Sequence, residues 1–237
     1  MMEQLLCRGL ETLGLPTDGV PALERYAALL DETNKVMNLT AITDPEEVAT
    51  LHFLDSAALL TLADFRNKTV ADVGTGAGFP GLPVRILEPS IRLTLLDALQ
   101  KRITFLQGVC DDLGLDDVAC VHGRAEEFAQ AHRESFDLVT SRAVADLQLL
   151  SELCLPLVKV GGAFLAMKSS HSQEETDQAA KAISLLGGKL ERVTDYSIPT
   201  TDITHRLLTI RKISPTPKKY PRRFAQIKKQ PLGVPGA

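Results

Sequence analysis

Three groups of residues in this chain have the types and spacing that hold and transform a small molecule. The first is Asp72-Val73-Gly74-Thr75-Gly76-Ala77-Gly78-Phe79-Pro80-Gly81, where a β-rich run passes into glycines and then into a segment that a proline opens as a helix. Glycines at such a junction permit a tight turn and let backbone N–H groups approach a ligand closely. The second is Asp97, which closes the next β-rich run 23 residues beyond Gly74. A carboxylate in that place accepts both hydroxyls of a ribose. The third is Ser141-Arg142-Ala143, after the fourth such run. Arginine is almost never buried unpaired, so Arg142 reads as a contact to ligand or substrate.

Two cofactor chemistries compete for these letters. Gly76-x-Gly78-x-x-Gly81, with Asp97 about 20 residues on, satisfies the dinucleotide fingerprint. The tight-turn glycine should follow the strand directly, however. That residue is Gly74, and in its register the sixth position is Phe79. Asp72 points the same way, because negative potential beside the loop suits a sulfonium and opposes a pyrophosphate. The loop, with Gly74, Gly76, Gly78 and Phe79, therefore favours S-adenosylmethionine over NAD. A glycine turn that holds nothing remains the third possibility. Arg124-Ala125-Glu126-Glu127 would lie beside the adenine end of such a cofactor, or simply open a helix with acids that complement its dipole. Lys168, closing the fifth run, is a further candidate contact to substrate.

The elements that would position these groups follow from periodicity. Runs at 69–73, 92–97, 118–122, 136–141 and 162–168 are short and β-rich, and helical patterns at 80–88, 99–113, 124–132 and 146–158 separate them. Such alternation predicts a parallel sheet with helices on both faces. A helix at 172–187 and two strands at 190–198 and 205–212 should follow, the strands antiparallel because their connection is too short for a crossover. Before the sheet, Leu5, Leu6, Leu10 and Leu13 recur at helical spacing, and a second helix should begin after Pro21 and end near Asn34. Asp44-Pro45-Glu46-Glu47 reads as a helix start, with Asp44 capping and Glu47 closing a capping box, on a helix reaching Leu62. The expected division is a helical extension (1–64), an α/β domain (65–213) and a basic tail (214–237).

At 237 residues, 44% hydrophobic and 24% charged, the chain is of ordinary globular composition and long enough for a full core. No apolar run approaches a membrane span, and Glu3 stands where a signal peptide wants positive charge. The expected location is the cytoplasm. The four cysteines form no C-x-x-C pair and no zinc spacing, so reduced thiols and no metal site are expected. Nine of the 26 basic residues and none of the 30 acidic ones lie in 203–237. An acidic body with a basic end suits a polyanion. The tail has the composition of an extended or disordered segment, and its prolines argue against an amphipathic helix. A monomer is expected, since no heptad seam or long apolar edge is visible.

The segments DVGTGAGFPG, LLDALQKRITFL, GRAEEF, SRAVADL, LCLPLVKVGGAFLAMK and KKYPRRFAQIKKQPLG, in this order from about Asn38 to Leu232, resemble the bacterial glucose-inhibited division protein B family. The chain departs from that pattern at Leu51, which precedes His52 where a basic residue is usual, and at Ala98, Gln100, Met167 and Ser169. The resemblance implies a class I methyltransferase fold, doubly wound around a mostly parallel seven-stranded sheet, using S-adenosylmethionine. The implied target is the seven-position nitrogen of a guanine in the 530 loop of 16S rRNA, naked or in the 30S subunit. The family's cofactor contacts would fall on Gly74 and Phe79, on Asp97, Ala98 and Leu99 for ribose and adenine, and on Ala125 and Glu126 at the adenine side. Arg142 matches the family's arginine above the methyl donor.

That nitrogen carries a lone pair and no proton, so no general base and no catalytic His or Cys is expected. Arg142 would orient the guanine or a phosphate. Lys168, Lys218, Lys219, Arg222 and Arg223 would contact rRNA, with Tyr220 or Phe224 available for stacking. Removing residues 214–237 is expected to weaken RNA binding while leaving cofactor affinity intact.

Overall fold

The β-branched run Thr69–Val73 forms β1, the centre of a seven-stranded sheet. The computed structural model describes residues 1–142 and 145–233; Ala143, Val144 and the chain beyond Gly233 lie outside the described residues. The other strands are β2 (Arg92–Asp97), β3 (Val118–His122), β4 (Phe136–Arg142), β5 (Val158–Ser169), β6 (Gly188–Ser197) and β7 (Thr204–Lys212). Their order is β3-β2-β1-β4-β5-β7-β6. The first five are parallel, and β7 runs antiparallel to both neighbours, as the short β6–β7 connection requires. β5 starts earlier than its apolar run suggests, because Val158 pairs with Phe136 across a register shift before Ala163 pairs with Leu138.

Helices connect the parallel strands: α5 (Gly81–Leu87), α6 (Gln100–Leu113), α7 (Ala125–Ala131) and α8 (Leu147–Cys154), while α9 (Gln173–Leu185) precedes β6. Two cores result. Alternate residues of β1 divide between them, Val70 to one face and Ala71 and Val73 to the other. The N-terminal helices α1 (Met2–Thr12) and α2 (Val20–Met37) belong to the first core through Leu6, Leu10, Leu23, Tyr26 and Leu30. They pack on each other and on helices, α1 against the Val48–Leu54 segment and α2 against α5 and α6. The second helix runs three residues past Asn34 and stops where Asn38 adopts a left-handed conformation.

Asp44 caps the next helix by accepting from the N–H groups of Glu46 and Glu47. No return bond from the Glu47 side chain is made among the described residues, so half of the expected box is present. The helix is not uniform. α3 (Pro45–Glu47) passes into a π-helical segment, Val48–Leu54, and then into α4 (Asp55–Leu62). Wide turns of this type are common at functional sites, and this one presents Leu51 and His52 to Arg142, with Asp55 at the start of α4 beside them.

The tail corrects a sequence-based expectation. It is neither extended nor free. Lys212, fully buried at the end of β7, donates to Leu155 O (2.7 Å) and to Thr216 Oγ1 (2.6 Å) and lies 3.1 Å from Glu134. The Arg133 guanidinium donates to the carbonyls of Thr216, Pro217 (3.0 Å) and Tyr220 (2.8 Å). Tyr220, Ile227 and Leu232 are buried in the second core, and a short helix, α10 (Phe224–Lys229), sits between two prolines. Averaged composition hid these widely spaced apolar anchors. Residues 214–233 are a strap bound to the domain.

Arg222 was expected on RNA, but it forms a bidentate pair with the fully buried Glu152 (2.8 and 2.6 Å). Lys168 was expected there too, and its ammonium is committed to Glu175 and Ala145 O, both at 2.6 Å. Charges spent on internal acids are not free to neutralise phosphate. Lys218, Lys219 and Arg223 remain exposed.

Candidate cofactor-binding site

The carboxyl ends of β1 to β4 open into a cavity of about 520 Å³. Ligands of open parallel sheets bind at that edge. Gly74 and Thr75 start the loop after β1, both donating backbone N–H groups to Leu96 O (2.8 and 3.2 Å). Gly76 follows with φ +61°, a conformation that side chains resist, and its N–H donates to Asp97 Oδ2 (3.0 Å). The loop after β1 is thus tied to the carboxylate that closes β2.

Gly74, Gly76, Phe79, Asp97, Ala98, Leu99, Ala125, Glu126 and Arg142 all line this cavity. Gly78 does not. A Cβ there would collide with the Tyr26 hydroxyl and Leu106, so its absence of a side chain serves packing beneath the loop. Tyr26, fully buried on α2, donates to Ala77 O and stacks on Phe79 at 5.5 Å. The second N-terminal helix, α2, therefore supports the loop.

Asp72 also differs from expectation. It is fully buried under the loop and accepts from Thr75 Oγ1 (2.7 Å), Gly81 N (3.0 Å) and Thr140 Oγ1 (3.0 Å). Burial pushes its carboxyl up, against those three bonds. It does not face the cavity. Its part is to fix the shape of the loop and the start of α5.

Asp97 is 3% exposed. Oδ1 accepts from Leu99 N (2.9 Å), and Oδ2 also receives Arg102 Nη1 (3.1 Å). Glu126 is buried as well, 3.6 Å from Arg124. Two buried carboxylates beside a glycine turn are acceptors that suit the hydroxyls and amine of a nucleoside, and this set fits S-adenosylmethionine. Arg102, Thr40 and His52 also line the cavity and were not anticipated, and Phe224, expected to stack on RNA, lines it too. Arg102 lies five residues beyond Asp97, in the first turn of α6, a local spacing that could have suggested it. The other three are brought in from distant segments.

At the β4 end, Arg142 is held by four groups. Nη1 donates to Leu51 O (2.8 Å) and Asp55 Oδ2 (3.0 Å), Nη2 donates to His52 Nδ1 (2.9 Å), and the guanidinium carbon sits 5.2 Å over the Phe79 ring. His52 stacks on the same ring at 4.2 Å. Because its Nδ1 accepts from Arg142, its Nε2 carries the proton and donates to Thr40 Oγ1 (3.0 Å). Burial, and then the charge of Arg142, lower the His52 pKa to about 3.

This has a measurable consequence. Above pH 6.5 the imidazole is neutral in both states. Below it the unfolded chain takes up a proton that the folded protein refuses, so stability falls with pH until about pH 3. At about 1.4 kcal/mol per unit, the loss between pH 6.5 and 5 is about 2 kcal/mol. Urea unfolding should show that loss in the wild type and a clearly smaller one in His52→Gln. Equal losses would mean that His52 is protonated in the fold.

A family model described as rRNA small subunit methyltransferase G (GidB) matches residues 20–204. The chain is 49% identical over 210 residues to the Ribosomal RNA small subunit methyltransferase G of Clostridium botulinum (strain Loch Maree / Type A3), covering 87% of this chain and 88% of that one. It is 47% identical over 235 residues to the protein of the same name from Alkaliphilus metalliredigens (strain QYMF), covering 97% and 98%. Among solved structures, a SAM-dependent methyltransferase from Aquifex aeolicus superposes with a TM-score of 0.53 at 15% identity, over 73% of this chain and 96% of that one. The sheet order, the cavity at its carboxyl edge and the extent of these matches agree: the chain belongs to the rRNA small subunit methyltransferase G family.

Proposed function

We propose that this protein transfers a methyl group from S-adenosylmethionine to the seven-position nitrogen of a guanine in the 530 loop of 16S rRNA, acting as a cytoplasmic monomer. Family membership supports the rRNA substrate. The observation that carries the chemistry is the cavity joining Asp97 to Arg142, with no base poised between them among the described residues: His52, the one histidine of the described lining, is held neutral with both ring nitrogens engaged.

S-adenosylmethionine supplies an electrophilic methyl on a sulfonium. The chain's own residues bind and orient. Asp97 takes the ribose hydroxyls, and the loop at Gly74 and Gly76 offers backbone that nothing bulkier would leave accessible. Ala98, Leu99, Ala125 and Glu126 frame the adenine, and Phe79 forms the floor toward the methyl donor. A guanine seven-position nitrogen needs no deprotonation, so the work left to the protein is alignment. Arg142, immobilised by Leu51 O, Asp55 and His52, orients the guanine or an adjacent phosphate. Lys218, Lys219 and Arg223 contact rRNA phosphates from the strap.

Thirty-S subunits from cells lacking the protein, incubated with the enzyme and labelled cofactor, should gain one methyl group at that nitrogen, read as a reduction-dependent strand break in the 530 loop. Arg142→Ala should cut the rate by about 10²-fold, the order lost when a positioning group is removed. A methyl elsewhere in the rRNA would refute the proposed site. Full turnover with Arg142→Ala would refute the role of the arginine.

A further inference from the structure

The strap reaches the cavity itself. Phe224, the first residue of α10, lines it beside Arg124, Ala125 and Glu126. Strand order sets the sequence of subsites along the edge of the sheet. Arg142 and Phe79 stand at the β4 end, Asp97 closes β2 in the middle, and Gly123 to Glu126 follow β3 at the far end. With a ribose on Asp97 and the methyl donor toward Arg142, the base is left the β3 end, where Phe224 stands.

We propose that Phe224 is the aromatic wall of the adenine subsite, contributed to the cofactor site by the C-terminal strap. This rests on the reading of Asp97 as the ribose acceptor. Three features fix the ring in place. Arg222, two residues earlier, is pinned to buried Glu152. Ile227, three residues later, is fully buried. The Arg124 guanidinium lies 5.1 Å over the ring itself. Tyr220, Ile227 and Leu232 of the same strap are buried, whereas Phe224 is only half-buried and keeps surface toward the cavity. An aromatic ring held firmly and left partly open is what a nucleobase requires. Lys218, Lys219 and Arg223 are on the same strap, so the element that would touch rRNA also bounds the cofactor. This placement runs against the expectation that the tail can be removed without cost to cofactor affinity.

The chain contains no tryptophan, so Phe224→Trp introduces a single indole. Titration with S-adenosylhomocysteine should change its emission, and acrylamide should quench it less in the complex than in the free protein. In parallel, calorimetry on Phe224→Ala, with folding checked by circular dichroism, should show about tenfold weaker binding of S-adenosylhomocysteine, the order of one aromatic contact to a base. Adenosine alone should lose the same factor, since the loss belongs to the base. Unchanged emission while wild-type protein binds S-adenosylhomocysteine, or unchanged affinity in Phe224→Ala, would overturn the proposal and leave the cofactor site standing. Absence of binding by the wild type would overturn the cofactor site and this proposal together.

Discussion

Asp97→Ala should lower affinity for S-adenosylhomocysteine by at least about 10²-fold, the largest effect expected of any single change in the cavity. Two hydroxyl bonds to a carboxylate are lost, and hydrogen bonds to charged groups contribute about 1.5–3 kcal/mol each. The damage extends to the apo protein, because Asp97 also accepts from Gly76 N and Leu99 N and so joins the loops after β1 and β2. Asp97→Asn keeps the shape and should fall between. Calorimetry at constant pH measures this directly. Wild-type affinity in a folded Asp97→Ala protein would remove the ribose from this position.

The largest effect on stability belongs to Asp55. It is wholly buried at the start of α4, and three groups from distant strands converge on it: Arg142 Nη1 at 3.0 Å, Tyr196 Oη at 2.8 Å and His205 Nδ1 at 2.9 Å. Burial alone would push its carboxyl up, but the bond from His205, the charge of Arg142 and the bond from Tyr196 together hold it below the usual range. Its contribution is therefore present above the ordinary carboxylate pKa and is lost as pH falls below it. Asp55→Ala leaves the partly buried Arg142 without its acid and two further groups without their acceptor, a change that costs up to about 3–5 kcal/mol. Urea unfolding at pH 7 should show a loss of that order, and methyl transfer should slow as well, because Arg142 loses its anchor. A loss well under 1 kcal/mol would mean that solvent replaces Asp55 easily.

The sheet was legible because its parallel strands are mostly short apolar runs and the crossovers are separate helical patterns, so Asp97 could be found as the residue ending one run and Arg142 as the residue just past another. What periodicity does not encode is pairing across long separations. Arg222 meets Glu152 across 70 positions of sequence, and Arg142 meets His52 across 90. One local sign existed: Glu152 lies within the apolar run Leu147–Cys154, and an acid on a buried helix demands a cation from elsewhere. The tail misled for the opposite reason. Lysines and prolines dominate its average, while Tyr220, Ile227 and Leu232, spaced too widely to register as a pattern, decide that it binds. Asp72 sat where the letters promised, but burial gave its charge to Thr75, Gly81 and Thr140.

Lys212 makes the chain indivisible. Its ammonium is sealed inside the protein, and one of its partners, Thr216, comes from the strap. A stop codon after Ile213 would not trim a dispensable appendage. It would take Thr216 from the Lys212 ammonium, expose the face that Ile227 and Leu232 cover, and take Phe224 from the cavity in the same stroke. A nonsense mutation this late in the gene should therefore lower the stability of the whole domain, read as a lower urea midpoint.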